Sequence, residues 1–221
     1  MSTQSKYKNY FGVEITNQQA NQLDEYDELT FVDNRLKIEK KYYDNELEGI
    51  YIYIYPDENE SAILNTLTEP DFEYSIIKDF EQINGYDTWK SYAYKNGVLD
   101  SQYSMEVFDA QDRQIAIIGY DETGAIDFPG WKKYYISNNI IYDENGNIDI
   151  KYSEDSYVKF DFMSGELEIS LPLDDEEIYK TSDLPYFYQV WQDRLPLLTS
   201  ELMAYFMDPN QLIPPANLNI V

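Results

Sequence analysis

The sequence predicts an α+β fold: a mainly antiparallel, twisted β-sheet meander, with a C-terminal helix packed on it and one or two helices before residue 86. Three patterns lead there. From Trp89 to Leu173, short runs rich in Tyr, Ile and Val alternate with turn signals, the rhythm of strands joined by hairpins. The stretch EGIYIYIYP (48–56) sets Ile50, Ile52 and Ile54 on one face of a strand and Tyr51, Tyr53 and Tyr55 on the other. Near the C-terminus, Leu184, Phe187, Tyr188, Trp191, Leu195, Leu198, Leu202 and Tyr205 follow the i, i+3/i+4 steps of an amphipathic helix.

Taken in order, residues 1–9 are polar and expected to be loose, and 16–28 suit a short polar helix or a loop. LTFVDNRLKIEKKYY (29–43) reads as strand, Asp33-Asn34 turn, strand, and Pro56 ends the strand that follows. ESAILNTL (60–67) suits a short helix. A second helix is expected over 68–85, because Thr68 and Asp71 have capping spacing. Phe72, Ile76, Phe80 and Ile83 recur at helical intervals, and Gly85 suits a C-terminal stop. The meander then turns at Asn96-Gly97, Asp109–Asp112, Thr123-Gly124, Asn145-Gly146 and Ser164-Gly165. Thr181, Ser182 and Asp183 offer N-caps to the last helix, which Pro196 should kink. No shift in composition marks a boundary. The expectation is one domain, 1–221: a helix/strand part (10–85), the meander (86–173), a helical part (181–207) and an extended tail (208–221).

Composition narrows the function. Among 221 residues, 43% are hydrophobic, enough for a packed core. There are 23 Tyr, and tyrosine tolerates half-burial with its hydroxyl wet, as wide sheet faces and contact surfaces require. Forty-two acidic against 16 basic residues give a net charge of −26. Phosphate contacts need Lys and Arg, so nucleic acid and anionic membrane surfaces are poor partners. Basic proteins or cations are the natural ones. The chain has no Cys and no His, which excludes disulfides, Cys/His zinc sites and Ser-His-Asp or Cys-His catalysis. Carboxylate-only chemistry survives, but no spacing selects a glycosidase pair. The start, MSTQSKYKNYFGVEI, has no apolar core of a secretory signal, and no run is long enough to span a membrane, so a cytoplasmic address is expected.

IIYDENGNIDIKY (140–152) raises calcium. Asp143, Asn145, Asn147, Asp149 and Glu154 fall at the ligand positions of an EF-hand loop. Position six is Ile148, however, and the glycine sits at position four; the flanks alternate like strands. A plain hairpin is the better reading, with no metal and no cofactor. Trp89, Trp131 and Trp191 each sit in an apolar pattern and are expected in the core.

What remains functional is acid beside tyrosine. The clusters are Asp24, Glu25, Asp27 and Glu28; Asp57, Glu58 and Glu60; Asp143, Glu144 and Asp149; and Asp174, Asp175, Glu176 and Glu177. Acids near the start of the last helix also suit its dipole. The expected partner-binding set joins the last three clusters to Tyr51, Tyr53, Tyr55 and Tyr179, with Tyr186 nearby. Tyr supplies contact energy, and acid supplies on-rate and selectivity.

The chain also echoes itself: WKSYAYKNGVL (89–99) against WKKYYISNNII (131–141), and YDETGAI (120–126) against YDENGNI (142–148). The first pair resembles the short aromatic-Gly repeats of MORN-like proteins, and YDENGNI resembles the YD repeat of bacterial toxin shells, together over about residues 89–150. In character the whole chain, small, strongly acidic and rich in Tyr and Asn, resembles bacterial immunity proteins of polymorphic toxin systems. That resemblance implies a non-catalytic protein which binds one cognate toxin with a basic surface and occludes its active site. A nucleic-acid mimic that inhibits a defence enzyme, or a carbohydrate-active protein, are the alternatives.

Overall fold

The computed structural model describes residues 2–10, 12–67, 72–139, 154–170, 177–180 and 200–216. The hairpin read over 140–153 lies outside them, with Asp143, Glu144 and Asp149, as do Asp174, Asp175 and Glu176 and the helical stretch 181–199 with Trp191. The described chain is mainly β, with mixed but largely antiparallel pairing and three helices. Its residues gather into two compact units interleaved in sequence: one within Met1–Phe80 and Trp89–Ser104, the other within Glu81–Thr88, Met105–Asn139 and Asp155–Val221.

In the first unit the strand order is β2 (Glu14–Ile15), β1 (Thr3–Asn9), β3 (Glu25–Val32), β4 (Arg35–Tyr43), β5 (Glu46–Tyr53), β6 (Tyr74–Ile83), β7 (Tyr86–Lys95), with β8 (Val98–Leu99) paired to β7. Two-residue loops with both residues at positive φ close the hairpins: Asp33-Asn34 (φ 49° and 65°) and Asp44-Asn45 (49° and 60°). Asn and Asp tolerate that left-handed backbone, and its twist matches the flanking strands. The pairing of β5 with β6 is parallel, so the chain between them must cross over, and it does so through α2 (Glu60–Leu64), capped by Asn59. The first helix, α1 (Asn17–Ala20), is one turn held by a Thr16–Gln19 capping box.

Residues 1–9, expected to be loose, instead form β1 from Thr3 to Asn9, because β3 pairs with it along its whole length. The helix expected over 68–85 is not formed; β6 occupies 74–83. Two features produced the helical pattern. Tyr74 and Ile76 are buried on one face and Ile77 on the other, so the alternation that marks a half-buried strand is lost. Asp79 then takes φ 57° within the strand and shifts the period. Asn84-Gly85 (φ 55° and 88°) is a hairpin turn into β7 and not a helix stop. Around this strand Ile52, Ile54, Tyr74, Ile76 and Tyr94 form a core. On the other face Trp89 meets the rings of Tyr53, Tyr55 and Phe80 at 5.6, 5.1 and 4.7 Å.

The second unit runs β9 (Tyr103–Phe108), β10 (Gln114–Tyr120), β11 (Ile126–Asn139), β12 (Glu154–Asp161), β13 (Glu166–Ser170) and β14 (Glu177–Lys180), each beside the next. A C-terminal helix, α3 (Ser200–Met207), places Leu202, Met203, Tyr205 and Phe206 against Val107, Ile115, Ile118, Val158 and Phe160. Each such side chain taken wholly from water contributes about 1.5–3 kcal/mol. Asp109 and Asp121 tie their turns alike: a carboxylate oxygen accepts N–H bonds from residues two and four further on.

Lys132 is the most unusual residue of this core. It is fully buried, and its ammonium donates to the carbonyls of Tyr205, Asp208 and Gln211 at 2.6–2.7 Å. It thereby supplies donors at the end of α3, where helical carbonyls lack them. Burial lowers its pKa to about 7, with Asp208 pulling it back up. The geometry belongs to the ammonium, because a neutral amine has two hydrogens for three carbonyls. The echo between 89–99 and 131–141 therefore inverts in the fold. Trp89 is buried with Lys90 partly exposed, whereas Trp131 is partly exposed and Lys132 is buried.

Candidate protein-binding surface

The cluster at 57–60 is matched by cations from neighbouring strands. Asp57 takes both carboxylate oxygens to Arg35 at 2.7 Å, and that bond holds its pKa below the ordinary value. Glu58 stands 2.6 Å from Lys37 Nζ and accepts the Tyr55 N–H. Burial pushes the Glu58 carboxyl up, but Lys37 and that N–H outweigh it, and its pKa lies low. Lys37 Nζ finds no well-aligned hydrogen-bond acceptor among the described residues. Its charge is met instead by Glu58 and by the Tyr55 ring at 4.2 Å. Glu60 pairs with Lys78 at 2.8 Å.

The three tyrosines of β5 have separate environments. Tyr53 is 9% exposed and donates its hydroxyl to Glu39, so it belongs to the packing around Trp89. Tyr55 packs on Trp89 with Arg35 and Lys37 over its ring. Tyr51 is half-buried under Lys41, 4.6 Å from its ring. Glu177 and Tyr179 lie on β14 of the other unit. The expected set is thus divided between two units, and its described acids over 57–60 are already ion-paired.

A different part of the first unit combines exposed apolar surface with acid. Tyr10 is 74%, Tyr43 48% and Leu47 39% exposed, and all three lie at the same end of the sheet, where β1, β3, β4 and β5 begin or finish. Register explains the company that they keep. Tyr43 lies opposite Glu25 on β3 and Glu46 on β5, while Tyr42 faces Tyr26 and Leu47. Tyr10 follows the last β1 pair, Asn9 with Tyr26. One face of this end therefore reads Glu25, Tyr43, Glu46 across three neighbouring strands, with Tyr10 just past the end of the fourth. Asp24, Asp44 and Glu48 add exposed acid at the same end.

One row further in, Asp27 lies opposite Lys8 and Lys41. Burial raises its pKa to about 6, Glu39 adds to the rise, and Lys41 and Lys8 oppose it. Lys41 is drawn aside to Glu39, at 3.6 Å, and to the Tyr51 ring. These residues border an open cleft of about 250 Å³, lined by Tyr10, Tyr43, Glu25, Asp27, Lys41 and Glu48 and, from the intervening positions, Tyr26 and Tyr42. Neither Glu25 nor Glu48 is ion-paired among the described residues. The run Asp24, Glu25, Asp27 and Glu28 was visible in the sequence as an acidic cluster. Its neighbours Tyr10, Tyr43, Glu46 and Glu48 were not, because only strand register brings them beside it.

Among the described residues no group of three acids is arranged to hold a metal ion, and no helix is long and apolar enough to cross a membrane. No known protein family, curated protein or solved structure matches the chain.

Proposed function

We propose that this protein is a non-catalytic binder that neutralises a basic partner protein by covering its working surface, as an immunity protein does a toxin inside the cell that carries both. One observation carries the reading: at the open end of the first unit, exposed Tyr10 and Tyr43 are set beside Glu25, Glu46 and Glu48. Exposed tyrosine ringed by one sign of charge is the composition of a contact surface that attracts from a distance and then packs. A net charge of −26 supplies the attraction. A toxin that acts on nucleic acid must itself be basic where it grips phosphate, and an acidic plug competes there.

The test is co-purification of the tagged protein from its native cell, followed by mixing with whatever is captured. The expected result is a one-to-one complex with a basic protein whose activity falls on binding, and whose capture is lost in a Tyr43→Ala, Glu46→Lys double variant. Capture of no protein, together with turnover of any glycan by the purified chain, would sink the proposal.

A further inference from the structure

The residues that line the cleft at this end of the sheet select one kind of side chain. Tyr43 ends β4, and Tyr10 lies one residue past the end of β1; those two strands flank β3. Glu25 on β3 lies opposite Tyr43. Both tyrosines border the cleft that Glu25 also lines, so a flat cation entering it meets aromatic surface and a carboxylate together. The cleft, about 250 Å³, is below the size of a drug-binding pocket and suits a single side chain. Its three acids, Glu25, Asp27 and Glu48, face one lysine, Lys41, which Glu39 and Tyr51 engage.

We propose that this cleft receives one arginine side chain of the protein partner, with its guanidinium between Tyr10 and Tyr43 and hydrogen-bonded to Glu25. The inference rests on the reading of this end as a protein-binding surface. Arginine fits where lysine does not, because guanidinium is flat. It stacks on aromatic faces and offers a carboxylate two parallel donors, whereas an ammonium is a compact, strongly hydrated point. Asp27 and Glu48 make the cleft negative overall and leave the choice of cation to the tyrosines.

The experiment uses the whole chain and needs no knowledge of the partner. N-acetyl-arginine amide is titrated into the protein and followed by NMR of the tyrosine rings, with N-acetyl-lysine amide and the uncharged N-acetyl-citrulline amide as controls. The expected result is saturable millimolar binding of the arginine probe that shifts the Tyr10 and Tyr43 signals. Lysine is at least about 5-fold weaker, citrulline is not bound, and Glu25→Gln weakens arginine about 10-fold. Tyr43→Leu serves as a second variant that keeps the strand apolar, and it should abolish the preference for arginine over lysine. Equal binding of lysine or citrulline, or full affinity in Glu25→Gln, overturns the inference. The two readings fail separately. A probe that binds while no partner is ever captured removes the neutralising function alone. A captured partner that is indifferent to Glu25→Gln and Tyr43→Leu removes the arginine slot alone.

Discussion

Asp27 keeps a charge where the fold disfavours it. Its carboxyl titrates near 6, against an ordinary value of 3.8, chiefly because it is buried, then because Glu39 is near; Lys41 and Lys8 only partly compensate. Between pH 3.8 and 6 the folded chain holds more protons at this site than the unfolded one, so its contribution to stability falls as pH rises through that window. Above pH 6 the penalty is complete. Asp27→Asn should then be more stable than the parent at pH 7.5, by about 1–3 kcal/mol for a shift of this size, and indistinguishable from it below pH 4. Urea unfolding at the two pH values checks this. A variant less stable at pH 7.5 would mean that Lys8 and Lys41 hold the carboxylate more firmly than burial repels it. The sequence showed that acid was present at 24–28 and at 57–60, but not which of it was spent. Arg35, Lys37 and Lys78 answer the second cluster from other strands, and those pairings exist only once the sheet has its register.

At the scale of elements, what was legible followed from local chemistry. Asp33-Asn34 and Asn96-Gly97 announce turns by their backbone preferences alone, and both turns form. The strand over EGIYIYIYP was visible because its alternation is regular. The strand β6 was hidden because burial on both faces erases alternation, and Asp79, at positive φ, interrupts the regular extended backbone. Another irregularity, in β11, gives a sharp prediction. Gly130 takes φ 63°, and a Cβ added there would lie 1.9 Å from the Ile117 carbonyl oxygen. The register between β10 and β11 shifts at this place. Gly130→Ala should cost the left-handed backbone penalty of about 1–2 kcal/mol plus the displacement of β10. A total of about 3 kcal/mol or more, read from urea unfolding, is expected. A loss below about 1 kcal/mol would show that the two strands part readily. Gly124 is the contrast, with a positive φ but nothing near its Cβ position. Lys132 fixes a helix to a sheet in the same unit. Lys132→Met leaves the carbonyls of Tyr205, Asp208 and Gln211 without their donor, at about 1 kcal/mol each, against relief from burying a charge. The expected net loss is about 2–3 kcal/mol, with hydrogen exchange over 200–212 rising before that of β10. Unchanged exchange there would show that apolar packing alone holds α3.

For the molecule as a whole, one quantity acts on folding and on association in opposite directions. With 42 acids and 16 bases the compact chain repels itself, and the same excess would draw in the basic partner proposed above. Both effects travel through solvent and are screened by salt, since the Debye length shrinks from about 30 Å at 0.01 M to about 3 Å at 1 M. Added sodium chloride should therefore stabilise the protein while it weakens the complex. Between 10 mM and 500 mM, Tm should rise by a few degrees, as about 1 kcal/mol of relieved repulsion moves Tm by ~2–4 °C at this size. Over the same range the association rate with the captured partner should fall by at least about 10-fold. Dissociation should change little, because tyrosine packing at the end of the first unit is short-ranged. Calorimetry and stopped-flow mixing read the two effects independently. If Tm and association rate both fall, internal ion pairs such as Arg35–Asp57 and Arg113–Asp109 outweigh the net repulsion. If the association rate is insensitive to salt, the excess acid serves solubility alone, and the partner is recognised by the shape of the tyrosine row without attraction at a distance.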